Sequence, residues 1–238
     1  MCIRDSHTLI ACDATILWTE FLYEKKIVTD PIWRQYDRDM VKSYAKGVLD
    51  IRDFCRKHAG AFRSIPEEKL HALAQEFAKK KIAPLIFPDG KKWVKNALQA
   101  NIQACVLSAS AAFIVKPIAK LFGLTDAMGI ELAFKDGFCT GEIVGIPTFQ
   151  EGKVERLSQR LAEAGIGFED VLFFTDSRND LPLAERAGYT VCVNPDAVLE
   201  SAARKNGWKV AEWKLSLRTQ MTAQVDAKGV PETQTVRS

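Results

Sequence analysis

With 238 residues, 47% of them hydrophobic and 26% charged, the chain has the composition of an ordinary globular protein able to bury a sizeable core, which excludes fibrous structure and bulk disorder. Thirty-three Lys and Arg against 30 Asp and Glu leave a formal charge of +3, too even a balance to single out nucleic acid or an acidic membrane surface as a partner. No apolar run approaches the roughly 20 residues of a bilayer span, and six scattered cysteines without a CxxC pair read as buried thiols in a reducing compartment, so a cytoplasmic protein is expected.

The opening Met1-Cys2-Ile3-Arg4-Asp5-Ser6 has no apolar h-region, so no signal peptide is expected. From about Cys12 to Pro84 the pattern is helical. Trp18, Phe21 and Leu22 share a face, Leu70, Leu73 and Phe77 recur at helical spacing, and Ile65-Pro66-Glu67-Glu68 sets Pro and carboxylates in a first turn. After Pro88-Asp89-Gly90, short apolar runs alternate with helical segments, the mark of a parallel α/β sheet. The strands fall over 104–107, 171–174 and 190–193 and the helices over 112–122 and 154–164. Between 131 and 143, two apolar stretches flank Lys135-Asp136-Gly137, where Asp-Gly predicts a hairpin and a small β-flap. From Thr219 onward large apolar side chains almost vanish, which predicts a loose tail.

Ligands of open parallel sheets bind beyond the carboxyl ends of the strands, and two apolar runs end there in unusual polar sets. Ala104-Cys105-Val106-Leu107 leads into Ser108-Ala109-Ser110. Val171-Leu172-Phe173-Phe174-Thr175 leads into Asp176-Ser177-Arg178-Asn179-Asp180, whose two carboxylates share one face if a helix starts there. Lys153, in Glu151-Gly152-Lys153-Val154, is a cation at a helix start, where the helix dipole disfavours it. Each has a bland alternative: a cap for Ser108, a solvated lysine for Lys153, a cap and a dipole partner for Asp176 and Asp180. His7, His58 and His71 show no metal spacing and read as surface histidines, and Lys79-Lys80-Lys81 reads as a solvated helix end.

In order and spacing, Ser108, Lys153 and Asp176-x-x-x-Asp180 resemble motifs two, three and four of the haloacid dehalogenase (HAD) superfamily. The finer text resembles its subfamily IB, the phosphoserine phosphatase-like hydrolases. The carriers are Leu107-Ser108-Ala109-Ser110 with Lys116-Pro117, Gly141-Glu142-Ile143-Val144-Gly145-Ile146-Pro147 with Glu151-Gly152-Lys153-Val154, Asp176-Ser177-Arg178-Asn179-Asp180-Leu181-Pro182-Leu183, and Val193-Asn194-Pro195-Asp196. The resemblance implies a Rossmann-like α/β core with a parallel sheet over 1–13 and 85–214, a helical cap over 14–84 inserted after the first strand, and a tail over 215–238.

It also implies hydrolysis of a small phosphorylated metabolite through an aspartyl-phosphate, with Mg²⁺ as cofactor. Asp176 is the implied metal ligand, Ser108 and Lys153 the groups on the phosphoryl, and Asp180 and Asn179 the groups that hold Lys153 and orient the phosphoryl or water. Asp13 stands where an acidic residue faces a substrate amine, or else caps a helix. The first motif, Asp-x-Asp-x-Thr, falls on Arg4-Asp5-Ser6-His7-Thr8, so Arg4 holds the nucleophile position and Ser6 that of the general acid. A guanidinium cannot form an acyl phosphate and a serine hydroxyl is a poor acid, while Asp5, one residue out of register, faces the other way on a strand. The first six residues resemble the translated end of a transposase-derived sequencing adapter. The expectation is a phosphatase sequence truncated at its N-terminus, its native first strand and catalytic aspartates lost and replaced by these residues, and inactive as it stands. The alternatives are a pseudoenzyme that binds phosphate and a phosphotransferase acting on an alcohol.

Overall fold

The computed structural model describes residues 1–216, so nearly all of the tail expected over 215–238 lies outside the described residues. The chain opens on β1 (Cys2–Ile3), and five helices follow: α1 (Ala14–Glu24), α2 (Ile32–Lys46), α3 (Ile51–His58), α4 (Glu67–Phe77) and α5 (Pro88–Gln99). Next come β2 (Cys105–Ala111), α6 (Ala112–Lys120), β3 (Asp126–Ile130), β4 (Leu132–Lys135), β5 (Phe138–Ile143) and α7 (Glu151–Ala164). β6 (Leu172–Thr175), α8 (Leu181–Ala184), β7 (Tyr189–Val193), α9 (Ala197–Asn206) and β8 (Lys209–Ala211) complete the described chain.

Six strands form one parallel sheet in the order β3-β2-β1-β6-β7-β8. A two-residue strand thus occupies the centre of the sheet. Cys2 and Ile3 pair with Cys105 and Val106 on one side and with Phe173 and Phe174 on the other, and the Arg4 amide continues the ladder to the Phe174 carbonyl. Two residues suffice because both neighbours are longer and both faces are covered, which leaves Ile3 wholly buried. Strands β3 and β8 escape a reading by apolar runs: Asp126-Ala127-Met128-Gly129-Ile130 is poor in β-branched residues, and β8 is a three-residue edge strand with exposed Lys209 and Val210.

The expected flap is an antiparallel pair, β4 with β5, turned by Asp136 (φ 53°) and Gly137 (φ 78°). Both φ values are positive, as a type I′ turn requires, and the second position asks for glycine.

Helices fill 14–85 as expected, and their apolar faces meet the sheet's helices through an aromatic cluster. Trp18 of α1 lies edge-on to Phe77 of α4 (ring centroids 5.4 Å apart) and to Phe113 of α6 (5.6 Å), and Phe62 also lies edge-on to Phe113 (5.5 Å). Of these, Trp18 and Phe77 are side chains that the helical spacing places on the apolar faces of their helices. Lys79-Lys80-Lys81 lies in a π-helical turn after α4, with Lys80 paired to Glu76 and Lys81 to Glu24. All six cysteines are free thiols, and all but Cys12 are buried. No helix of the described residues is long and apolar enough to cross a membrane.

Candidate active site

The carboxyl ends of β1, β2 and β6 converge at the middle of the sheet, where the strand order reverses, and each delivers a polar residue there. β1 delivers Arg4 and β6 delivers Asp176. Ser108 sits just past the last regular β2–β3 pair, Leu107 with Met128, where the register shifts. From the helix side, Lys153 enters in the first turn of α7. Gly152 makes that approach possible, since a Cβ there would lie 2.0 Å from the Pro147 carbonyl oxygen.

Lys153 is no solvated lysine. It is completely buried, and its Nζ lies 2.6 Å from Asp180 Oδ1, while the Thr175 hydroxyl donates to Asp180 Oδ2 at 2.7 Å. The Arg4 guanidinium spans both carboxylates, with Nε 3.3 Å from Asp176 Oδ1 and Nη1 3.7 Å from Asp180 Oδ2. Thr8 donates to the same Asp176 oxygen at 2.8 Å.

Burial pushes Asp176 above the ordinary carboxylate range in spite of Arg4, His7 and Thr8. Burial works against Asp180 too, but Lys153 and then Arg4 overcome it and hold that carboxyl below its usual range. Arg4 itself is raised well above its ordinary value, burial being outweighed by Asp176, Tyr44 and Asp180.

The two aspartates do not share a helix face. Asp176 ends the strand, Ser177 is extended, and Asp180 closes a 3₁₀ turn, Arg178–Asp180, in which the Ser177 hydroxyl accepts from the Asn179 amide. The capping carboxylate of this region is Asp196, which accepts from Val198 and Leu199 at the start of α9 and from the Arg178 amide at 2.6 Å. Asn179 is buried. It donates to the Tyr44 carbonyl at 2.9 Å and accepts from Gln150 Nε2 at 3.2 Å. Ser108 is buried and its hydroxyl accepts from the Ser110 amide at 3.0 Å. Asp13 caps α1, accepting from Thr15 and Ile16, and also lines the cleft.

That cleft holds about 440 Å³ and is lined by Arg4, His7, Asp13, Tyr44, Asp176 and Asn179 among others. A separate small cavity of about 30 Å³ is lined by Arg4, Ser6, Ser108 and Ser110 among others. Reading motifs alone missed the roles of Tyr44, whose ring centroid lies 5.5 Å from Arg4 Cζ, and of Gln150, because both arrive from segments without a strand-end signature. His7 is exposed, as expected of a surface histidine, and from there also lines the cleft, with φ 55°.

At the first motif, Ser6 Oγ accepts from the Ala14 amide at 3.1 Å. Asp5 is wholly buried with neither carboxylate oxygen hydrogen-bonded, although its backbone carbonyl accepts from Thr8, Leu9 and Ile10.

His58 corrects a second expectation, since it is buried rather than on the surface. Its Nε2 lies 3.0 Å from Thr19 Oγ1 and 3.6 Å from Asp37 Oδ1, and both Asp37 oxygens lack a hydrogen-bond partner. Burial lowers His58 to about 4 and raises Asp37 to about 7. Folded Asp37 thus keeps its proton at pH values where the unfolded chain has lost it, so its contribution to stability falls as pH rises from about 4 to about 7. His58 acts with the opposite sign, losing stability as pH falls from about 6.5 toward 4. Asp37→Asn removes only the first effect. Thermal melts should show the variant gaining on the wild type with rising pH, by up to about 4 kcal/mol between pH 4 and pH 8. A difference independent of pH would contradict this.

Residues 7–185 match the family described as haloacid dehalogenase-like hydrolase. A histidinol-phosphatase of Neisseria meningitidis is 34% identical over 212 residues, covering 87% of this chain and 96% of that protein. A phosphoserine phosphatase of Mycobacterium tuberculosis is 31% identical over 164 residues, 68% of this chain but only 53% of that protein, so the chain spans about half of that relative. Among solved structures, a protein of unknown function from Bordetella pertussis superposes with a TM-score of 0.80 at 30% identity, covering 88% of this chain and 96% of that one. A substrate-bound phosphoserine phosphatase shares the fold with a TM-score of 0.65 at 20% identity, covering 93% and 96%. The chain belongs to the haloacid dehalogenase-like hydrolases and is a phosphatase by descent.

Proposed function

We propose that the cleft is a phosphomonoester site whose binding groups are in place and whose turnover is silenced at position 4. The observation that carries this reading is Arg4 at the end of the central strand, its guanidinium on Asp176 and Asp180, in the place of a nucleophilic carboxylate. Ser108 and Lys153 remain as groups for a phosphoryl oxygen and for the charge around it, with Asn179 beside them and Asp13 open to a substrate amine. Residues 14–84 act as the cap that closes over the ester, and 1–13 with 85–214 as the core that carries the site. The free cysteines favour a reducing, cytoplasmic setting.

Mg²⁺ does not fit the residues present. The cation prefers several carboxylate and water oxygens, whereas Asp176 already faces a guanidinium at 3.3 Å, and no group of three or more His, Cys, Asp or Glu suited to a metal occurs among the described residues. No step through the metal is derived for this chain.

Between the two substrates named by its relatives, histidinol phosphate is favoured, because the histidinol-phosphatase match extends over 96% of that protein. Incubation with histidinol phosphate, phosphoserine or p-nitrophenyl phosphate is expected to release no inorganic phosphate, while saturating histidinol phosphate raises the melting temperature by a few degrees. Phosphate release well above the blank removes the silent-site reading. No ligand-dependent shift with any ester removes the binding reading.

A further inference from the structure

We propose that Arg4 supplies the charge neutralisation for which a phosphatase of this kind would recruit a divalent cation, so that the cleft binds a phosphomonoester or inorganic phosphate without metal. The inference rests on the phosphomonoester reading above and concerns its metal dependence. One side chain reaches both site carboxylates, at 3.3 Å and 3.7 Å, and Lys153 holds the other oxygen of Asp180 at 2.6 Å. Two cations thus balance two carboxylates in a buried place. A divalent ion brought beside Asp176 would face the Arg4 guanidinium, which already lies 3.3 Å from that carboxylate, and Coulomb repulsion between the two cations is strong at low dielectric.

A second observation points to an anion. Arg4 is 5% exposed, and its Nη1 has no hydrogen-bond acceptor, since 3.7 Å to Asp180 makes an ion pair but not a hydrogen bond. A buried donor without an acceptor is costly, and the guanidinium fork matches two oxygens of a tetrahedral oxyanion. Arg4 lines both the main cleft and a separate small cavity that Ser108 also lines, so a modest turn of the guanidinium is what would bring Nη1 to an oxyanion bound in the cleft. The Tyr44 ring, 5.5 Å from Cζ, backs the guanidinium and limits its swing.

The test is a pair of titrations on the full chain. Calorimetry with inorganic phosphate is expected to give the same affinity in EDTA as in excess Mg²⁺, and Mn²⁺ titration followed by electron paramagnetic resonance is expected to show no site tighter than millimolar. Arg4→Met should weaken phosphate at least about tenfold in EDTA and create a Mn²⁺ site, because Asp176 and Asp180 lose their shared cation. A micromolar Mn²⁺ site in the wild type, or phosphate binding that requires Mg²⁺, overturns this proposal and leaves the phosphomonoester reading intact. Absence of phosphate binding in both buffers overturns that reading and this proposal with it. Where circular dichroism shows Arg4→Met unfolded, the two wild-type titrations decide.

Discussion

Exchanging Arg4 and Ser6 together for aspartate is expected to turn a chain that releases no phosphate into one that hydrolyses small phosphomonoesters in Mg²⁺-containing buffer, at a rate at least about 10³-fold above the wild-type chain. The chemistry needs both. A carboxylate at position 4 attacks phosphorus while the ester P–O bond breaks, and the departing alkoxide takes a proton from a carboxylic acid at position 6. Water then cleaves the acyl phosphate and returns the carboxylate. Both places are suitable: position 4 follows the central strand at the carboxyl edge of the sheet, and position 6 faces the first turn of α1, where Ser6 Oγ lies 3.1 Å from the Ala14 amide. Arg4→Asp alone should lag the double variant in kcat by about 10²–10⁴, the usual worth of a general acid. Asp5 cannot substitute, since it is buried outside the cleft. Malachite green assays on the wild type, both single variants and the double variant decide the matter, and equal rates for all four would refute the assignment of positions 4 and 6.

The second large effect concerns stability. Lys153→Met is expected to cost about 3–5 kcal/mol, because it strands Asp180 in a fully buried place, and to lower the melting temperature by about 10 °C. The pH dependence gives the sign. In the wild type, Asp180 is held below its ordinary value, so its contribution is complete above the unfolded carboxylate range and lost as pH falls through the lowered folded value. Without Lys153, only Arg4 and the Thr175 hydroxyl are left to oppose burial, so the folded carboxyl is expected to hold its proton more tightly than in the wild type and acidification to relieve the variant. The melting deficit should therefore shrink from pH 7 toward pH 4. A second exchange, Asp180→Asn, made on the Lys153→Met background, should recover most of the loss, as removing both members of a buried pair costs far less than removing one. A deficit that stays constant with pH and is not recovered would show that Lys153 acts through packing alone.

Ser108, Lys153 and Asp176 to Asp180 were legible because polar residues after apolar runs stand out against a sheet that binds at its strand ends, and order along the chain then named the family. Arg4 was legible as a departure, but its contact with both aspartates was not, because that depends on two parallel ladders closing around a two-residue strand. Charged neighbours hid the burial of His58: Arg52, Asp53, Arg56 and Lys57 surround it in sequence, yet Ile51, Cys55 and His58 fall at i, i+4 and i+7 and form the inward stripe of α3. That stripe was available to inspection. Tyr44 and Gln150 carried no comparable signal, as each reaches the site through tertiary packing.

Enzymes commonly sacrifice stability to hold like charges together around a reacting centre. In this chain the relation is inverted. Arg4 stitches β1 to the loop after β6, and with Lys153, Asp176 and Asp180 it forms a four-charge clasp across the middle of the sheet. An aspartate at position 4 would exchange that clasp for three neighbouring carboxylates, so such a variant would be more fragile when idle and lean on its ligands for rigidity.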